Sequence, residues 1–324
     1  MEGFLPHRLL PGAHLQTIFG QLLRSRLRWS VPTEDAIVEA GDGVRLLLRC
    51  SWHPRGGDRP TLLLVHGLEG CDRSVYMVAT GKRAHQLGWH VIRMNLRGCG
   101  DGLEVCPRLY NAGQTADLVA VVEWLAHRVK RFAIGGFSLG AGLSLLTIAR
   151  ERSRLPDELI ALAAVCPPLD MSACADALER RSNTLYALRF VRSLKRSYRS
   201  RQRLSPERYQ KGRERGVTTL RQFDQVITAF YEGYRDAEDY YRSVSAGPGL
   251  VAIERPTLVL ASRDDPFIPR ESVEKWRISP SVELEVTRAG GHVGFVGAAG
   301  SPGCFWAAER MLVFLDSQLS GNRR

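Results

Sequence analysis

Residues 131–150 read RFAIGGFSLGAGLSLLTIAR, and the way this stretch divides decides the fold. Arg131 to Phe137 has the length and apolar content of a buried strand, and LGAGLSLLTIAR from Leu139 onward reads as a helix. Between them Gly136-Phe137-Ser138-Leu139-Gly140 fits the pattern G-x-S-x-G at the strand-to-helix junction. A serine at the tip of such a turn is strained, and a side chain at either glycine would meet the neighbouring strand or helix. With 31 Gly and 22 Ser in 324 residues, about 0.2 matches to these letters arise by chance, so the surroundings must separate this junction from a glycine-rich turn whose serine caps a helix.

Outward from that stretch, strand-like and helical runs alternate, the mark of a mostly parallel sheet covered on both faces. IVEAGDGVRLLLRCSW predicts a hairpin turned at Gly41-Asp42-Gly43, TLLLVH (Thr61 to His66) a buried strand, 75–87 a helix, and HVIRMN (His90 to Asn95) the next strand. ADLVAVVEWLAHRV predicts a helix over 116–129, and LIALAAVC (Leu159 to Cys166) a strand stopped by Pro167-Pro168. From Met171 to about Ser245 there is only basic and aromatic helical text; strands resume at PTLVLAS and VELEVTR, and a helix over about 305–319 closes the chain. The expected architecture is one α/β domain over 1–324, a doubly wound sheet of about eight strands, with residues 171–250 inserted as a basic helical cap.

Composition excludes whole classes. At 44% hydrophobic and 24% charged residues the chain is neither disordered nor fibrous, and its length can bury a core without disulfide staples. The seven cysteines are scattered, with no CxxC pair and no Cys/His cluster at zinc spacing, which predicts a reducing compartment and no structural metal. No run approaches the apolar length of a membrane span, and Pro6 and Pro11 interrupt the N-terminus where a secretory signal would be continuous; a cytoplasmic location is the default. The net charge of +11 is concentrated: 14 Lys/Arg against Glu207 and Glu214 fall between Arg180 and Arg221.

A serine nucleophile needs a base, and in a sheet of this topology the acid and then the base follow from the ends of later strands. PTLVLAS runs into RDDPFIP, which places Asp264 and Asp265 just past a strand end, and VELEVTR runs into AGGHVGF, which places His292 in a loop of small residues. Taken singly, the Asp pair could be a turn or cap before Pro266 and His292 an ordinary loop histidine. Acyl transfer also requires backbone donors for an oxyanion. Leu139 N–H at the elbow and Leu68 N–H in His66-Gly67-Leu68-Glu69-Gly70 are the candidates, with His66 orienting that loop.

These motifs together resemble the α/β-hydrolases, and more narrowly the family of the bacterial hydrolase YheT and its eukaryotic α/β-hydrolase-domain relatives. The resemblance spans PHRLLPGAHLQTI, HGLEG with Tyr76, NLRGCG, GQTADL with Asp117, GFSLGAG, FDQVITAFYEGY, ASRDDPF and GGHVGF. It implies a Ser138, Asp265, His292 triad; the general hydrolase pattern sets the acid directly before the Pro266 to Pro269 stretch, which favours Asp265 over Asp264. It also implies serine esterase or lipase chemistry through an acyl-enzyme, with no cofactor and no metal. Many eukaryotic relatives carry an N-terminal membrane anchor, and none is read here.

Three readings of the basic run stay open: a solvated helix face, recognition of an anionic acyl ester such as a phospholipid or acyl-CoA, or peripheral attachment to an anionic membrane. In the last, Leu188, Phe190, Val191, Leu194 and Tyr198 would form the apolar side of an interfacial helix. Nucleic acid is the least favoured partner, since no recognition motif accompanies the charge. The alternatives to a hydrolase are an acyltransferase using an alcohol or acyl-CoA, and a non-catalytic protein that binds anionic lipid.

Overall fold

The computed structural model describes residues 3–22, 28–54, 58–297 and 305–320. Its strands are β1 (Glu34–Glu39), β2 (Arg45–Ser51), β3 (Thr61–Val65), β4 (His90–Met94), β5 (Phe132–Phe137), β6 (Leu159–Val165), β7 (Thr257–Ser262) and β8 (Val282–Thr287). They form one sheet in the order β1-β2-β4-β3-β5-β6-β7-β8, antiparallel at β1/β2 and β2/β4 and parallel elsewhere. The main helices of the two outer layers are α1 (Ala13–Leu22), α2 (Val75–Gln86), the single turn α3 (Gly102–Val105), α4 (Thr115–Ala126) and α5 (Leu139–Arg150). This is the mostly parallel sheet expected from the alternating text, with the antiparallel hairpin at one edge.

Period-two alternation divides the strand side chains between two cores. Leu62 and Leu64 of β3 face one way, with Met77 of α2, and Leu63 and Val65 face the other, with Leu118 and Val122 of α4 and Leu143 of α5. The sheet is therefore buried on both sides, which is why β3 and β5 read as continuous apolar runs. The chain passes from β3 to β4 on one side and places β5 on the other, so the loops leaving β3 and β5 diverge around a crevice at their carboxyl ends.

Between β6 and β7 the regular structure is helical: α6 (Met171–Glu179), α7 (Thr184–Leu204), α8 (Leu220–Phe223), a π-helical turn (Asp224–Thr228), α9 (Ala229–Glu232) and α10 (Ala237–Val244). After β7 come α11 (Arg270–Glu274) and, past β8, α12 (Trp306–Ser320), whose Met311 and Leu315 join the α2 core. Among the described residues no helix is long and apolar enough to cross a membrane.

The direction of α7 corrects one sequence expectation. Of the five residues expected on an interfacial face, Val191, Leu194 and Tyr198 are buried in the protein and Phe190 packs partly against the same core, which leaves Leu188 as the exposed one. Nor is the basic run a uniform charged surface. Arg201 is 1% exposed, and its guanidinium donates to the carbonyls of Arg108, Arg97 and Gly98 in the loop after β4 and to Ser197 in its own helix. Arg199 pairs with Glu214, and Arg221 with Asp176 and Glu238. Tyr209 and Tyr240 hydroxyls accept from Leu109 and Ala112 amides, so the helical segment is sewn to the 97–112 loop by side chains that meet backbone.

Removing Arg201 strands three loop carbonyls, Gly98 O buried and Arg97 O and Arg108 O partly so, each costing on the order of 1 kcal/mol, so Arg201→Ala should lose about 3 kcal/mol of stability. The exposed neighbour change Arg203→Ala should stay within about 0.5 kcal/mol. Urea unfolding of both variants measures the contrast, and equal midpoints would refute the stapling role of Arg201.

Candidate active site

Ser138 sits between the last residue of β5 and the first of α5 with φ 51° and ψ −122°, a backbone region a side-chain-bearing residue rarely occupies. Two hydrogen bonds hold it there, Ser138 N–H to Val165 O and Gly142 N–H to Ser138 O. The flanking glycines are forced by space. A Cβ on Gly136 would stand 2.7 Å from Ala141 Cα, and one on Gly140 would stand 2.3 Å from His66 O at the end of β3. The serine is thereby raised out of the sheet with its Oγ facing the crevice loops.

His292 lies in the turn after β8, where Gly290, Gly291, Val293 and Phe295 all take positive φ. Its Nε2 is 2.8 Å from Ser138 Oγ and its Nδ1 is 2.8 Å from Asp265 Oδ2. A carboxylate only accepts, so Nδ1 carries the proton and Nε2 is left to accept from the serine hydroxyl. Asp265 is oriented in turn: its Oδ1 accepts from the amides of Phe267 and Ile268. Its neighbour Asp264 turns the other way and accepts from Gly291 N–H, bracing the histidine turn from below. The structure thus brings Ser138, His292 and Asp265 into one chain of hydrogen bonds and leaves Asp264 outside it.

The loop after β3 lies against the serine. Gly67 has no room for a side chain, since its Cβ would come 3.0 Å from Ser138 Cβ. Its amide donates to Tyr76 OH, and the Glu69 amide donates to Tyr110 OH. The Glu69 carboxylate accepts from Tyr110 and from Ser193 of α7, which ties the loop to the inserted helices. Between these two anchored positions, Leu68 N–H donates to no protein group among the described residues, and neither does Leu139 N–H at the first turn of α5. Both are donors of the kind an anion can take, and Leu139 adds the positive end of its helix.

His66 is fully buried, and burial pushes its imidazole down to about 4. The Leu96 amide donates to Nε2, so Nδ1 is the protonated nitrogen and donates to Gly67 O. A neutral histidine with both nitrogens used holds the loop and moves no proton. Cys166 approaches the carboxylate and imidazole closely enough for these three to share an ion. Burial raises its thiol well above the ordinary value, its sulfur accepts from Val293 N–H, and Asp265 and His292 are already bonded to each other. Each of the three donors thus has a protein partner.

Two supporting residues escaped the sequence reading. Thr17 Oγ1 accepts from His292 N–H, and Gln16 bonds both the amide and the carbonyl of Val296, so α1 clamps the histidine turn from 275 residues away. No local pattern marks them; only their place in the PHRLLPGAHLQTI run singles out the stretch. On the opposite side Phe267 lies 4.7 Å from the His292 ring, backed by Tyr186 and Phe190 of α7.

Comparison with known proteins bears on the fold and the family. The family model described as alpha/beta hydrolase fold matches residues 60–299. YheT of Escherichia coli strain K12, an esterase by name, is 31% identical over 322 residues, which cover 98% of this chain and 94% of that protein. Phospholipase ABHD3 of Mus musculus is 28% identical over 85% of this chain and 70% of its own length. Among solved structures, an esterase of Pyrococcus furiosus superposes with a TM-score of 0.60 at 17% identity, covering 90% of this chain and 94% of the other, a likeness of fold.

Because His66 is neutral when folded, only the unfolded chain takes up its proton between about pH 6.5 and pH 4. Stability should therefore fall by on the order of 3 kcal/mol as pH drops through this window from this residue alone. His66→Gln should lose that part of the slope while being less stable at neutral pH. Urea unfolding across the window measures it, and parallel slopes for the two proteins would assign the acid sensitivity elsewhere.

Proposed function

The chain belongs to the α/β-hydrolase fold family, and within it to the relatives of YheT, and from that premise we propose that it is a serine esterase that cleaves acyl esters through an acyl-enzyme. One observation carries the reading: Ser138 Oγ and Asp265 Oδ2 lie 2.8 Å from opposite nitrogens of the same imidazole, with the serine on a strained turn beside two unbonded amides. A protein that only binds lipid has no use for that alignment, whereas an acyl-transferring enzyme needs all of it.

In the reaction proposed, Ser138 Oγ attacks the ester carbonyl carbon as His292 Nε2 takes its proton. The oxyanion forms against Leu68 and Leu139 N–H, and Asp265 stabilises the imidazolium without accepting the proton itself. Collapse breaks the bond to the alcohol oxygen, which leaves with the proton from His292. Water then attacks the acyl-enzyme, gives its proton to the same nitrogen, and the acid departs as Ser138 recovers its hydrogen. No step asks for a cofactor. The helices of 171–250 act as a cap over the crevice, contributing Tyr186 and Phe190 behind Phe267 and Ser193 to the loop that carries Leu68.

The relatives' names indicate esters of lipid type: a phospholipase, and a monoacylglycerol lipase of Saccharomyces cerevisiae that is 28% identical over 79% of this chain. Carried to this chain, they favour an uncharged or phosphate-bearing acylglycerol over a polar small ester.

Hydrolysis of p-nitrophenyl esters of increasing chain length, with fluorophosphonate labelling in parallel, tests the assignment. Ser138→Ala should lose all labelling and at least about 10⁴-fold in kcat. Asp265→Asn should fall by a comparable factor, about 10³ to 10⁴, through the wrong imidazole tautomer. Asp264→Asn loosens only the Gly291 contact and should cost about tenfold or less. A larger loss for Asp264→Asn would move the acid by one residue, and an unlabelled, folded wild type would sink the esterase reading.

A further inference from the structure

Helix α1 is inverted. Its buried face carries Gln16, Thr17 and Gly20, while Leu15, Ile18, Phe19 and Leu22, at the i, i+3, i+4, i+7 spacing of a single face, are 40% to 61% exposed. A surface helix of a soluble protein ordinarily does the opposite, and a contiguous apolar face left in water marks an interaction site. The arm before it adds Leu5 and Leu9, exposed by 66% and 79%. The His14 ring stacks on Tyr186 at 5.6 Å, which sets α1 beside the first turns of α7, where Leu185 is 81% and Leu188 40% exposed.

Cations border this apolar surface. Arg8 stands exposed next to Leu9, and Arg189, Arg192 and Arg196 follow Leu185 and Leu188 along α7 at helical spacing. All four are exposed, and among the described residues none makes an ion pair or a side-chain hydrogen bond. We propose that α1, the Leu5–Leu9 arm and the first turns of α7 form a docking surface for an anionic phospholipid bilayer, with the apolar side chains at the acyl boundary and the arginines on the phosphates. A second copy of the chain is the poorer occupant: a two-fold contact through this face would set the same unpaired arginines of a +11 protein against each other. A lipid surface instead complements both the apolar and the cationic parts.

The same surface is wired to the histidine turn. Thr17 Oγ1 accepts from His292 N–H, and the ring series His14, Tyr186, Phe267, His292 runs from the docking face to the imidazole with centroid spacings of 5.6, 4.8 and 4.7 Å. Docking would therefore bring the histidine turn up against the lipid surface. This link to turnover rests on the esterase reading above; docking does not.

The test is co-sedimentation of the full chain, carrying Ser138→Ala so that no lipid is consumed, with phosphatidylcholine vesicles made with and without phosphatidylglycerol. Binding should need phosphatidylglycerol and weaken with salt. Adding Ile18→Glu and Phe19→Glu should weaken it about tenfold or more, as should Arg189→Glu with Arg192→Glu. Leu9→Glu with Leu185→Glu, on separate elements, gives an independent variant, and far-UV circular dichroism and melting temperature verify folding. Absence of binding, equal binding of the Ile18/Phe19 variant, or a dimer in light scattering that this variant dissolves would overturn the proposal. Since the readout is binding by a protein without its serine, its failure and the failure of the esterase reading are separate results.

Discussion

The backbone of Ser138 is the constraint around which the rest is arranged. A residue at φ 51° between a strand and a helix is costly on its own, by roughly 1–3 kcal/mol, and persists only where its surroundings leave no alternative. The surroundings here are β6, which accepts the Ser138 amide at Val165, and α5, whose first turn presses on the end of β3 so closely that only glycine fits at position 140. That close approach places the loop after β3 beside the serine, and it fixes Gly67 for the same reason of space. The strained turn at Ser138 and the placing of the loop after β3 beside it are consequences of one packing contact.

The histidine side is built differently. Its turn has four residues with positive φ in succession or nearly so, two of them valine and phenylalanine, and β8 reaches only its entrance, where Thr287 Oγ1 donates to Ala289 O. The support comes from outside: Asp264 from the β7 loop, Thr17 and Gln16 from α1, and Cys166 beneath. Gly20 completes the clamp, because any Cβ there would meet Gly294 Cα at 2.9 Å. Positions outside the Ser138–His292–Asp265 chain of hydrogen bonds thus decide where the imidazole points, with the aspartate and serine aligned to it.

Much of this was legible in the sequence because it is local. Strand runs are apolar over four to seven residues when both faces are buried, and β3, β5 and β7 are such runs. The elbow is legible because the glycines that geometry demands lie within two residues of the serine. The places of Asp265 and His292 are legible because each follows a strand. What stays hidden are contacts between distant segments. The periodicity of Val191, Leu194 and Tyr198 identifies an apolar face of α7, but a face has the same spacing whether it meets protein or lipid, and here it meets protein. Arg201 looks like its thirteen basic neighbours in the run, and only the position of three carbonyls on another loop makes it a staple.

Helix α1 shows how one constraint can expose another. Clamping the histidine turn requires hydrogen-bonding side chains and a glycine on the inner face, and in a ten-residue helix that leaves the i, i+3, i+4, i+7 positions to the outside. The clamp does not require those outer positions to be apolar. Glutamate, lysine or glutamine would form the helix as readily as leucine and better than isoleucine or phenylalanine, and would keep the surface wet. Four apolar residues there, continued by Leu185 and Leu188 across the His14–Tyr186 contact, are therefore unexplained by folding and by the clamp together. The proposed docking on an anionic lipid surface accounts for that pattern, and the unpaired arginines along its border match the sign of such a partner.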